Sequence, residues 1–216
     1  AEAARAGSLA PGEEALRVVS YNTLADCYRH CWGDTFPYCD PETYHPEVRL
    51  PLCRHELAAY RGDILCLQEV DASWFREYWE PQLALDGYSA CYTKKVRGSE
   101  EGCAIFVRDE ALELLELREL PLSSRPRSLG RGACGTSPVE AAVGELLEAK
   151  PELADLWRRL GTVAQLALLR SRRSGRTLLV CNTHLYFSGM ARHVRMLQTA
   201  LILEEAHRLA SELAGR

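Results

Sequence analysis

Lysine is almost missing: 3 lysines stand against 23 arginines in 216 residues. Methionine appears only twice. No apolar run approaches the ~18 residues of a membrane-spanning helix, so no helical span is expected. No two cysteines are spaced C-x-x-C, and no aspartate follows Asp155. The first residue is Ala1, and no signal-peptide pattern follows it. The chain is therefore expected to be processed or a fragment. A surface that coats nucleic acid is also unexpected, because 26 basic and 30 acidic residues leave a net charge of −4. The arginine fork suits phosphate, but the skew runs along the whole chain and reads first as a coding bias.

What is present is ordinary globular material, 47% hydrophobic and 26% charged, enough for a sizeable core. The nine cysteines mostly sit in apolar runs such as Leu65-Cys66-Leu67 and read as buried thiols of a reducing compartment. The stretch holding Cys27, His30, Cys31, Cys39 and His45 could be a zinc site or a loop of free thiols, and its spacings fit no standard finger.

Residues 1–15 are small and polar and read as a fraying lead-in. Short apolar runs predict strands at 16–21, 63–68, 88–93, 103–107, 163–169 and 177–181; 111–120 alternates imperfectly and fits a strand or a helix, the strand favoured because the preceding strands set up a meander. Helices are expected at 46–60, from a Ser73 cap to Leu85, over 139–160 with a break at Lys150-Pro151, and at 191–213. Residues 26–46 and 121–138 read as loops, and 172–175 as a hairpin turn. Adjacent strands joined by short turns place the chain in a mixed α+β class.

Three strands stop abruptly at polar groups able to do chemistry: Tyr21-Asn22, Gln68-Glu69 and Asn182-Thr183-His184. Rigid strand ends are where sheet proteins fix reactive side chains. A glutamate offers a hard oxygen to Mg²⁺, an asparagine can orient a phosphate, and a histidine can donate to a phosphoryl oxygen. Taken singly, each is as readily a turn former or a solvated surface residue.

The segments Val19–Ala25, Cys66–Val70, Glu101–Phe106 and Cys181–Leu185, in that order, resemble the endonuclease/exonuclease/phosphatase superfamily and its deadenylase branch. Pro37-Tyr38-Cys39 and the runs 62–71 and 182–187 are most similar to the 2′-phosphodiesterase type within that branch. The resemblance covers residues 16–210. It implies a four-layer α/β/β/α sandwich, here without its C-terminal part, so that 16–216 would be the N-terminal two thirds of a catalytic domain. It implies a Mg²⁺-dependent 3′-exoribonuclease that degrades 2′–5′ oligoadenylate and poly(A) RNA to AMP. Glu69 would hold the metal, Asn22 and His184 would act on the phosphate, and Asn182 would bind substrate; apart from the resemblance, Arg192, His193 and Arg195 could bring positive charge towards RNA phosphate or be solvated residues on the first turns of the last helix. The resemblance further implies an RNA partner, no DNA, a monomer, and a place in the mitochondrial matrix or else the cytoplasm.

Two departures accompany the resemblance. The family's Gly-Asp-Phe-Asn and Ser-Asp-His segments, which carry its acid and base groups, are absent. A His-Pro-Lys-like segment after Phe187 is replaced by Ser188-Gly189-Met190. An Angel or nocturnin type of enzyme, or a short non-catalytic form that binds RNA or a partner, are the other readings.

Overall fold

A computed structural model describes residues 13–126 and 137–214. Among the described residues, seven strands form two sheets. β1 (Val18–Asn22), β2 (Ile64–Asp71), β3 (Tyr88–Lys94) and β4 (Glu101–Arg108) make the first, in the order β1-β2-β4-β3. β5 (Leu112–Pro121), β6 (Val163–Ser171) and β7 (Thr177–Thr183) make the second. β1 runs parallel to β2, and every other pairing is antiparallel.

The unbroken apolar runs of β2 and β4 follow from burial on both faces. Ile64, Cys66, Ile105 and Val107 meet Leu112, Ala167 and Leu169 between the sheets. The alternate residues Leu65, Leu67, Ala104 and Phe106 pack outward on Leu50, Leu57, Trp79 and Leu83. The second sheet presents Leu120, Ala164 and Leu166 outward to Val143, Leu147, Trp157, Val194, Leu197 and Leu201. The layers are therefore helix, sheet, sheet, helix, as the α+β sandwich expectation has it.

The helices are α1 (Trp32–Thr35), α2 (Pro46–Tyr60), α3 (Ala72–Trp74), α4 (Glu80–Leu85), α5 (Pro138–Ala149), α6 (Pro151–Arg159) and α7 (Arg192–Ala214). Several expectations need correction. Ser73 caps nothing: the helix starts at Ala72, and Phe75–Trp79 is a π turn. Pro81 has no N–H to give to an earlier carbonyl. The turn before it widens, and the Glu80 N–H reaches the Phe75 carbonyl. Residues 26–46 are not one loop but 3₁₀ turns at Asp26–Cys31 and Pro41–Tyr44 with α1 between them. Among the described residues no three potential ligands gather around a metal, and Cys27, Cys31 and Cys39 are free thiols. Of the lead-in, Glu14 is anchored, accepting hydrogen bonds from Ser171 Oγ (2.8 Å) and Ser174 Oγ (2.7 Å). Residues 1–12 of that lead-in, and 127–136 of the 121–138 loop with Cys134, lie outside the described residues.

An ion network fastens α7 to its neighbours. Glu205, 7% exposed at its side chain, meets Arg118 (3.4 Å), Arg125 (3.2 Å) and Arg208. Arg125 also pairs with Glu140 on α5. Burial alone would raise the Glu205 pKa, but the arginines outweigh it and hold the carboxyl below its ordinary value. A depressed carboxylate contributes stability above its unfolded pKa and loses it as the pH falls through the folded one. Glu205→Gln is therefore expected to cost about 3 kcal/mol near pH 7. The cost should shrink as the pH falls below the ordinary carboxylate range. Urea melts at pH 7 and pH 3.5 test this, and an equal cost at both would overturn it.

Candidate active site

The site begins with one extra residue in β2. Leu67 pairs with Ala104 and Val70 with Gly102, three steps on β2 against two on β4. That is a bulge, and bulges re-aim side chains. Gln68 faces the other sheet and Val70 faces the helices, so the extra residue is Glu69. Its φ is +55°, the left-handed region that a side chain enters at a cost of roughly 1–2 kcal/mol.

The neighbouring strand holds Glu69 there. Thr23 N donates to the Gln68 carbonyl (2.9 Å), and Thr23 Oγ1 donates to the Glu69 carbonyl (2.8 Å). Asn22 Nδ2 donates to Glu69 Oε1 (2.7 Å), and the Ala25 N–H donates to Oε2 (3.1 Å). Asn22 Oδ1 in turn accepts the Leu24 N–H (2.8 Å), which bends Leu24 into its own positive φ of +59°. Two residues on, buried Asp71 accepts the Asp26 N–H (2.6 Å) and the Cys27 N–H (3.1 Å) at the start of the 3₁₀ turn.

His184 comes from the second sheet, just past β7. Its Nδ1 lies 3.5 Å from Glu69 Oε1 and has no hydrogen-bond partner. Burial pushes its pKa below the ordinary histidine value. The Lys95 charge adds to this, and Glu69 and Glu101 oppose it. The imidazole is therefore neutral at pH 7, one ring nitrogen donating and the other accepting.

Asn22, Glu69 and His184 thus converge, and Glu69 and His184 open on a cleft of about 610 Å³. Tyr28, Trp32, Phe36, Tyr186, Phe187 and Lys95 are among the other residues that line it. The remaining expected residues lie elsewhere. Asn182 is 2% exposed and faces the space between the sheets. Arg195 is engaged by the carbonyls of Tyr186 (3.1 Å) and Ser188 (2.5 Å). Arg192 is exposed at the start of α7.

Sequence reasoning missed Lys95 and Glu101. Glu101 is fully buried, pairs with Lys95 and accepts the Tyr28 hydroxyl (3.0 Å). The signal was present: an acidic residue opens a strand whose next six positions are all buried.

Among the described residues no cage of three or more ligands exists. The Glu69 carboxylate, 12% exposed at its side chain, has spare lone pairs beside its two N–H partners. That fits a small hard cation held through one carboxylate, with water and substrate phosphate filling its other positions.

Residues 20–203 match the Endonuclease/Exonuclease/phosphatase family. The chain belongs to that family. Among its relatives is human 2′,5′-phosphodiesterase 12, 30% identical over 93% of this chain and 32% of that protein. Another is the CCR4-Not complex 3′-5′-exoribonuclease subunit Ccr4 of Yarrowia lipolytica, 30% identical over 93% of this chain and 28% of that protein. The chain thus spans about a third of the length of the curated relatives it matches. Among solved structures, ANGEL2, a 2′,3′-cyclic phosphatase, superposes with a TM-score of 0.72 at 22% identity, over 90% of this chain and 48% of that one. The human nocturnin catalytic domain gives 0.63 at 20% identity, over 91% and 59%. These two likenesses establish the shared sandwich. The human and Yarrowia relatives are themselves a phosphodiesterase and an exoribonuclease subunit.

Proposed function

We propose that this chain carries the first part of the catalytic domain of a Mg²⁺-dependent phosphodiesterase. The enzyme would be a 3′-exoribonuclease that releases AMP from 2′–5′ oligoadenylate and poly(A) RNA. The observation that carries the reading is the meeting of Glu69, Asn22 and His184, from three strand ends in two sheets, at one cleft. Names of the relatives support it: one is a 2′,5′-phosphodiesterase and another a 3′-5′-exoribonuclease.

Glu69 would hold the metal, which when bound neutralises charge on the reacting phosphate. Asn22 fixes the Glu69 carboxylate through its amide N–H. Neutral His184 donates a hydrogen bond to a phosphoryl oxygen, which strengthens as charge develops there. Arg195 shapes the 186–188 turn at the cleft mouth, and exposed Arg192 can meet the phosphate backbone from outside. The aromatic side chains that line the cleft suit unstacked bases of a single strand. The acid and base groups of the family's downstream motifs are not in this sequence, so turnover is assigned to the whole protein. The mitochondrial matrix is the proposed compartment, a reducing one that suits eight free thiols among the described residues.

The test is AMP release by the whole protein from 2′–5′ and 3′–5′ tri-adenylates, with Mg²⁺ and with a chelator. Metal-dependent AMP from at least one is expected. No AMP from either overturns the proposal.

A further inference from the structure

The two halves of the site sit in different sheets, Glu69 in the first and His184 in the second. Neither sheet fixes the distance between them through its own backbone ladder. What joins the sheets at this height is not apolar packing but three side-chain amides. Gln68 Nε2 donates to Asn182 Oδ1 (2.8 Å). Asn182 Nδ2 donates to the carbonyls of Leu67 (3.0 Å) and Ala104 (2.9 Å), and lies 3.3 Å from Gln165 Oε1. Gln165 Nε2 continues to the Cys91 carbonyl (3.3 Å). Asn182 and Gln165 are 2% and 0% exposed.

The place where this chain of amides lands matters. Leu67 and Ala104 are the last regular pair of β2 and β4 before the bulge. Gln68 is the residue directly before Glu69. Asn182 stands two residues before His184, which lies just past the end of β7. One side chain of the second sheet therefore grips the backbone on which the Glu69 bulge is built, while its own strand carries His184.

We propose that Asn182 is a positioning residue: through Gln68 and the Leu67 and Ala104 carbonyls it sets the separation of Glu69 and His184 across the sandwich. This rests on the reading of Glu69 and His184 as the groups that act on the phosphate. It replaces the expected contact of Asn182 with substrate, which its burial prevents. A misplacement of about 1 Å between reacting groups can cost on the order of a hundredfold in rate, so the effect belongs in kcat.

The experiment uses the whole protein with Asn182→Leu, Asn182→Asp and Gln68→Met beside wild type, assayed for AMP release well below each melting temperature. Leucine removes every polar link and keeps the number of side-chain heavy atoms, though its methyl groups are bulkier than the amide. Aspartate keeps the acceptor for Gln68 and removes the donors. Gln68→Met cuts the link to Asn182 beside Glu69, together with the Gln68 bonds to Ser20 Oγ (3.3 Å) and the Cys66 carbonyl (2.9 Å), at a half-buried position. The expected result is a fall in kcat of about ten- to a hundredfold for both Asn182 variants. A smaller fall is expected for Gln68→Met, and KM should stay within about twofold for all three. A purely structural asparagine would lower the melting temperature and leave kcat unchanged, which overturns the proposal. A raised KM with unchanged kcat would mean substrate contact and also overturns it. If the Asn182 variants do not fold, Gln68→Met decides, and a wild-type kcat there overturns it. Glu69→Gln, run in parallel, separates the two levels. If it stays active, the reading of the site fails. If it is dead while the other variants run normally, only the positioning role fails.

Discussion

Glu69→Gln in the whole protein is expected to lower Mg²⁺-dependent turnover by about a thousandfold or more, with the fold intact. A metal ion contributes several kcal/mol to a phosphoryl transition state, and each 1.36 kcal/mol is about tenfold in rate. An amide cannot replace the charge that holds such an ion through a single carboxylate. The structural cost is smaller. Glutamine keeps the shape, and its oxygen can still accept from Asn22 Nδ2 or from the Ala25 N–H, but not from both. One N–H left facing an amide NH₂ costs roughly 1–2 kcal/mol, a few degrees of melting temperature in a domain of this size. Mg²⁺ should raise the melting temperature of wild type, because a ligand that binds only the folded state stabilises it. The variant should show no such rise. Unchanged turnover, or the same Mg²⁺ response in the variant, would remove Glu69 from the site.

The sequence carried more of the sheet than of the site. Strands were legible because β2, β4 and β6 are apolar on both faces, and a continuous apolar run between turn residues has few other readings. The family motifs named Asn22, Glu69 and His184 in order. Sequence could not show how they meet. Gln68-Glu69-Val70-Asp71 reads as plain strand, and the extra residue appears only when β4 pairs with it. Asn182 and His184 looked alike as polar strand-end residues. Their fates differ because Asn182 still lies within β7, opposite Gln165, while His184 has just left it. The turns between 26 and 44 were invisible for another reason. Each is four to six residues long, too short to show a helical period.

Gly102→Ala is expected to cost more than about 3 kcal/mol and to lower the melting temperature by about 10 °C. The cause is a close approach rather than a turn. A Cβ at position 102 would lie 2.2 Å from the Thr93 carbonyl oxygen and 2.8 Å from Lys94 Cα. Both atoms belong to the backbone of β3, so no side chain can swing away. β4 cannot withdraw either, since β2 pairs on its other side, with Gly102 opposite Val70. Relief must come from shifting β3 or opening the β2–β4 ladder beside the bulge. The first breaks the Lys94–Gly102 pairing and the second disturbs the backbone that aims Glu69. Catalysis should therefore fall in whatever fraction remains folded. Gly33→Ala is the matched control: nothing lies within 4 Å of its would-be Cβ, and a helical turn favours alanine over glycine. Its melting temperature should equal or slightly exceed that of wild type. If Gly102→Ala melted with Gly33→Ala, the close approach of β3 and β4 would not be a constraint. The glycine of the Glu101–Phe106 segment would then need another explanation.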